Sequence, residues 1–186
     1  EIPTSPGRAR KRIREIRSMT SKPFGVDVLL PASLADAEET RSAVRLKLQQ
    51  EYPKHVEFMH SLMKEFDLPN IQVEDEIVIS PRQIKEQVDV VLDEKVPVFA
   101  AGLGDPAWVV PLAREQGVKT IGLVGTVRAA MRQVKAGVDV VVAQGYEAGG
   151  HTGRIANFPL IPQVVDAVSP TPVLAAGAIS DGRGLA

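Results

Sequence analysis

The chain has 186 residues, 44% of them hydrophobic, a net charge of −1 and no cysteine. That is enough apolar content to bury a sizeable core in one domain, and the near-neutral charge gives no electrostatic reason to expect nucleic acid or an anionic membrane as partner. The absence of cysteine excludes disulfides, thiolate metal sites and cysteine nucleophiles and fits a reducing, cytoplasmic setting, while no apolar run approaches a membrane span and no signal segment is read.

In chain order, "SPGRARKRIREIRSMT" (5–20) reads as an opening helix with no strand run before it. "FGVDVLL" (24–30) follows, the first of five short runs rich in valine and leucine. Asp27 lies inside it, a charge that is expensive in an apolar strand unless the carboxylate is paired or faces a polar cavity. The stretch 33–70 differs in character. It is crowded with acid, base and glutamine and predicts two helices broken near Pro53. Val56, Met59, Leu62, Met63 and Phe66 keep helical spacing, which predicts that the second helix packs on the core. The stretch reads as a helical insertion after a strand: a solvated pair first, then a lid or contact surface. His55 and His60, five apart, do not share a helical face well enough to chelate a metal, and no metal site is expected.

"SPRQIKEQVDVVLDEK" (80–95) opens with a capping box, Ser80 with Gln83, and sets Ile84, Val88, Val91 and Leu92 on one face. The second run, "VPVFAA" (96–101), leads into "DPAWVVPLAREQG" (105–117). There Asp105 is an N-cap, Pro106 takes the first helical position and Gly117 stops the helix, with Pro111 predicting a kink or a shortening. "KTIGLV" (119–124) is followed by a helix from Thr126 to Gly137, then "VDVVVA" (138–143), and later "PVLAAG" (172–177). None of the five runs alternates, so they read as strands of a parallel sheet covered on both faces.

Strand, short loop, helix, strand is the grammar of right-handed βα crossovers. It fits an open doubly wound sheet or a closed (β/α)8 barrel. All five runs continue into polar or glycine-rich segments: "PAS", "GLGD", "GTV", "QGYEAGGHTG" and "GAISDG". Function at the C-terminal end of nearly every strand is the barrel habit, whereas an open sheet concentrates it at one switch point. The expectation is therefore an α/β TIM barrel, incomplete here at about strands 2–6, spanning 1–186 with the insertion at 33–70 inside it. The start at Glu1 and the stop at Ala186, where a helix is due, suggest an excerpt of a longer protein.

The stretch "AQGYEAGGHTGR" (143–154) leaves a buried strand through three glycines, an acid and a lone histidine before Thr152. A tight turn needs one or two such residues; this one has backbone freedom to lie flat against something, with a titratable ring at its tip. Together with "PVLAAGAISDGRGLA" (172–186), "KPFGVDVLLP" (22–31) and "GVKTIGLVGTVRAAMRQVKAGVDVVVAQG" (117–145), it resembles the nitronate monooxygenase (2-nitropropane dioxygenase) family, FMN-dependent (β/α)8 barrels. The resemblance covers most of the chain apart from 33–70. Flavin-dependent enoyl-acyl-carrier-protein reductases share almost the same "EAGGH" loop, and a group of NADH:quinone reductases has a variant of it.

The resemblance implies an FMN site. Gly149 and Gly150 would bring backbone amides to the flat ring without a Cβ clash, and Gln144 would meet its pyrimidine edge. Gly177 and Ala178 would present free amides to the phosphate, with "SDGRG" starting a helix whose N-terminus favours negative charge. Asp27 stands where the family often has asparagine touching the flavin, a departure that weakens the carry-over there. Thr126 reads as a helix N-cap ahead of a pocket-lining residue. His151 is the implied catalytic residue: it deprotonates a nitroalkane or binds the nitronate beside the flavin, with O2 as co-substrate and carbonyl compound and nitrite as products. Glu147 either orients the imidazole or faces solvent. Competing readings are an NAD(P)H-dependent flavin reductase acting on an enoyl thioester or a quinone, and a non-catalytic barrel fragment. No nucleic-acid or membrane partner is expected, and oligomerisation is left open.

Overall fold

The opening helix signals are realised in a computed structural model that describes residues 5–31, 40–69, 80–151 and 153–185. Helix α1 (Pro6–Met19) starts at Ser5, whose hydroxyl accepts from the Arg8 amide at 3.4 Å, with Pro6 in the first turn where its missing N–H is harmless. Its Ile13 is buried, and Arg10, Arg14 and Arg17 repeat along one side. That side meets Glu94, just past the end of α4 (Pro81–Asp93). Arg10 and Arg14 each reach Glu94 Oε1 at 2.8 Å, Arg17 reaches Oε2 at 3.3 Å and also donates to the Glu94 carbonyl. Hydrogen bonding by Arg14, then Arg10, holds the Glu94 carboxyl below its ordinary value against the opposing effect of burial. Helix α4 buries Ile84, Val88, Val91 and Leu92, the face its spacing predicts.

The five apolar runs become five parallel strands: β1 (Gly25–Leu30), β2 (Val98–Gly104), β3 (Lys119–Val124), β4 (Val140–Gln144) and β5 (Val173–Ala176). They pair in strict chain order, β1-β2-β3-β4-β5. An open doubly wound sheet reverses its strand order; an unbroken sequential order is what an arc of a barrel wall requires. The helices between them are α5 (Val110–Glu115), α6 (Val127–Ala136) and α7 (Asn157–Val168). Pro111 shortens its segment as expected: Asp105 caps a 3-10 turn, Pro106–Trp108, and only six residues of α5 follow. Thr126 is the N-cap of α6, accepting from the Ala129 amide at 3.1 Å, and Gly137 ends that helix at φ +97°.

One face of the sheet is sealed by the helices. Phe99, Ala101, Val141 and Ala143 have 0% exposure there, each large aliphatic or aromatic side chain contributing roughly 1.5–3 kcal/mol by leaving water. The other face carries Leu29, Ile121, Leu123, Val140 and Val142, all half-buried, and Leu174, which is exposed. The expectation of strands covered on both faces is thus met on one only, because the inner face of a barrel wall is covered by strands across the barrel, and five strands make only an arc.

By compactness the chain divides into Glu1–Ser33 with Arg82–Ala186, and Leu34–Pro81. The second unit holds α2 (Arg41–Glu51) and α3 (Pro53–Glu65), broken at Pro53 as the sequence predicts. None of the residues of α3 is buried, and Met59, with Phe66 just past the helix end, is exposed on the predicted face. Helical spacing describes a face; it does not supply a partner for it, and Val56, Leu62 and Met63 reach only half-burial. A final turn, α8 (Gly182–Leu185), ends the described chain.

Candidate functional site

The C-terminal ends of β4 and β5 lie side by side, with Gln144 in register with Ala176. Beyond Gln144, which is half-buried, the chain makes a 3-10 turn at Tyr146–Ala148, and then Gly149 and Gly150 take φ of +73° and +64°. Gly149, with ψ of 173°, occupies a region open essentially only to glycine. His151 follows them and is exposed.

The glycines of this region fall into two kinds. At Gly145 an added Cβ would come within 2.3 Å of Asn157 Oδ1 and 2.5 Å of the Ile155 carbonyl; at Gly177 it would come within 2.6 Å of the Ala148 amide. These two are explained by contacts within the chain. At Gly149 and Gly150 an added Cβ would meet nothing within 4 Å. Their left-handed backbone faces open space, a surface that a flat ligand can approach closely. The Gly177 contact also sets the β5 turn directly against the loop that carries His151. In that turn Gly177 has φ +102° and Ala178 φ +57°, a left-handed alanine being sparsely populated. Neither of their amides donates to a partner among the described residues. Gln144, Gly149, Gly150, His151, Gly177 and Ala178 are therefore gathered at one end of two neighbouring strands.

Asp27 is not gathered with them by any described contact. It lies on β1 opposite Ala100, a row that continues through Ile121 to Val140, four residues short of Gln144 along β4. It is exposed on the sheet face that five strands leave uncovered, and its carboxylate lies over Gly102, where an added Cβ would come within 2.9 Å of Oδ2. Two expectations change. Glu147 does not orient the imidazole: its Oε2 accepts from the Asn157 amide at 2.9 Å, at the first turn of α7. A carboxylate there answers an unpaired helical N–H and the positive helix end. The N-terminus of α8 is likewise taken by a side chain of the chain itself, since Asp181 accepts from the Arg183 amide at 2.9 Å and from Arg183 Nε at 3.0 Å. Those bonds hold the Asp181 carboxyl below its usual range. The four residues of α8 leave the phosphate role to the Gly177–Ala178 turn alone.

Sequence reading missed two buried carboxamides. Gln133, at 1% exposure, donates through Nε2 to the carbonyls of Gly104 and Leu123, both at 3.3 Å, and so fastens the ends of β2 and β3 to α6. Asn157, at 6% exposure, does the same for β4 and β5. Its Oδ1 accepts from the Gly145 amide at 2.6 Å, and Nδ2 donates to the carbonyls of Ala176 at 2.9 Å and Gly177 at 2.6 Å. The only signal in the sequence is an asparagine opening an apolar helix, which reads more simply as a cap. The concave surfaces described elsewhere lie along α1, at Arg10 and Arg14, and below β3, at Thr120 and Asp139; neither includes the His151 loop. The site is distinguished by its backbone rather than by enclosure.

Comparison with known proteins agrees with this geometry. The sequence profile described as "Nitronate monooxygenase" matches residues 3–186. The chain is 38% identical to a Mycobacterium tuberculosis protein named "Putative monooxygenase Rv1533", over 98% of this chain and 51% of that protein. Among solved structures it resembles FabK from Thermotoga maritima (31% identity, TM-score 0.68, 98% of this chain and 42% of that one). It also resembles nitroalkane oxidase from Streptomyces ansochromogenes (26% identity, TM-score 0.65, 92% and 48%). Both structures are TIM-barrel enzymes. The chain spans about half the length of the curated relatives it matches.

Proposed function

Because the chain belongs to the nitronate monooxygenase family, we propose that the protein is an FMN-dependent oxidoreductase that oxidises alkyl nitronates with O2 to a carbonyl compound and nitrite. The observation that carries this reading is the open left-handed pair Gly149–Gly150, with His151 next in the chain and the Gly177–Ala178 turn packed on the same loop. The residues fit the flavin group. Space where a Cβ would sit accommodates a flat ring, and two amides with no partner among the described residues suit a single phosphate, which favours FMN over a dinucleotide. Gln144 at the strand tip offers a donor and an acceptor to a polar ring edge. When bound, FMN supplies the electron transfer from substrate to oxygen.

The chain's own contribution is proton chemistry and orientation. His151, exposed on a glycine-anchored loop, takes the α-proton of a neutral nitroalkane at a ring nitrogen, or donates a hydrogen bond to the nitronate oxygen once the anion has formed. Both roles need an imidazole held at a fixed place, and the Asn157 bond to Gly145 fixes the start of its loop.

Replacing His151 with asparagine tests the assignment. Turnover of neutral nitroalkanes should fall by roughly the 10²- to 10⁴-fold typical of a lost general base. Preformed nitronates should react with a much smaller loss, and FMN content should stay near wild type. Equal losses for both substrate forms would reassign His151 to anion binding. A second reading, an NAD(P)H-dependent flavin reductase, is supported by the likeness to FabK, a related flavoprotein. Rapid anaerobic bleaching of the flavin by NADH or NADPH without nitrite formation from nitronates would favour that reading.

A further inference from the structure

We propose that Asn157 is a positioning residue that aims the two amides of the phosphate turn, and that it does so by holding the carbonyls on their far side. The inference rests on the FMN reading above for what the turn binds, but its geometry stands on the chain alone. A carboxamide has two N–H donors and one oxygen acceptor. All three directions are used: the Nδ2 hydrogens go to Ala176 O and Gly177 O at 2.9 and 2.6 Å, and Oδ1 takes the Gly145 amide at 2.6 Å.

The consequence follows from peptide planarity. In a trans peptide the C=O of one residue and the N–H of the next point in opposite directions across a rigid plane. Fixing the Ala176 carbonyl toward Asn157 therefore turns the Gly177 amide away from it, and fixing the Gly177 carbonyl turns the Ala178 amide away. One buried side chain thus orients both N–H groups assigned to the phosphate. Through Oδ1 the same side chain holds Gly145, where the His151 loop begins, so the two halves of the cofactor cradle share one anchor. Neither an acid nor a hydroxyl satisfies this pattern. Aspartate offers no donor and sets a charge against two carbonyls; serine offers one donor on a shorter arm.

The test compares FMN with riboflavin, which has the ring but no phosphate, binding to the intact apoprotein and its Asn157→Asp variant by flavin fluorescence quenching. If Asn157 aims the phosphate amides, FMN affinity should fall roughly 10- to 100-fold, as for hydrogen bonds to a charged group. Riboflavin affinity should change by less than about threefold. A merely structural asparagine would lower both affinities alike, and that result would overturn the proposal. If the aspartate variant is recovered unfolded, Asn157→Ser is read the same way: a drop in the FMN-to-riboflavin preference supports the proposal, and an unchanged preference overturns it. Glu147→Gln serves as a control, since it touches the Asn157 main chain and not the carboxamide, and should keep the wild-type preference. Wild-type protein that binds neither ligand would instead sink the FMN reading, a failure distinguishable from that of the positioning role.

Discussion

Two of the buried polar knots among the described residues have opposite character. Beneath α1 a single carboxylate, Glu94, is held by three arginines; at the ends of β4 and β5 a single neutral carboxamide, Asn157, ties three backbone groups. The first is a charge knot of side chains that reach solvent at their outer ends, so it fastens a helix and tolerates motion. The second has no charge to be screened or protonated and bonds only to main chain, so it fixes peptide planes. The phosphate cradle proposed above, built from amides, calls for the second kind. Placement of backbone dipoles to within a few tenths of an ångström is what distinguishes a binding site from a loop.

The comparison can be broken at its tightest point. Gly145→Ala would push a methyl to within 2.3 Å of Asn157 Oδ1 and 2.5 Å of the Ile155 carbonyl, and a main-chain oxygen cannot move aside as a side chain can. Urea unfolding should show a loss of about 2–4 kcal/mol, combining overpacking with a broken buried hydrogen bond. A loss below about 0.5 kcal/mol, no larger than an ordinary surface substitution, would mean that the neutral knot is not rigid.

The charge knot should differ in its pH dependence. The Glu94 carboxyl is held below its unfolded value, so the stability it contributes is present above that value, roughly pH 4.3, and is lost as pH falls through the lower folded value. Glu94→Gln should therefore be less stable than wild type at neutral pH. The gap should close in acid, as the wild-type carboxyl takes up its proton. The Gly145→Ala penalty should change far less over the same range. Urea midpoints from pH 7 down to pH 3 would show both, and a constant gap for Glu94→Gln would remove the distinction.

Smaller effects sharpen the picture. Gly150→Ala has no clash, only a left-handed φ, and should reduce stability by about 1 kcal/mol while weakening FMN binding more than that strain alone predicts. An FMN affinity unchanged by the added methyl would show that the open glycine face is not where the ring lies. Glu147→Gln should have the least effect, a few tenths to about 1 kcal/mol in thermal unfolding, because glutamine still accepts from the Asn157 amide and only the charge at the α7 N-terminus is removed.

Much of this was legible in the sequence for identifiable reasons. The five strand runs and the helix ends at Asp105, Thr126 and Gly137 are local signals, each decided by residues within one turn of itself. Gly149 and Gly150 stood out in the sequence because glycine is the residue that enters positive φ without a Cβ penalty. The exposure of Met59 on α3 was not legible, since spacing defines an apolar face without fixing how much of it leaves water.

What tertiary structure alone decided is the partner of each polar group. Glu147 was free in sequence to serve His151 or solvent; the fold gave it the Asn157 amide. Glu94 and its arginines are about 80 residues apart, and Asn157 meets carbonyls about 20 residues away. Local sequence sets φ, propensity and periodicity because those depend on neighbours a few bonds away. Hydrogen-bond partners over such separations depend on how strands and helices come together in space, and the closed glycines at Gly145 and Gly177 acquire their meaning only there.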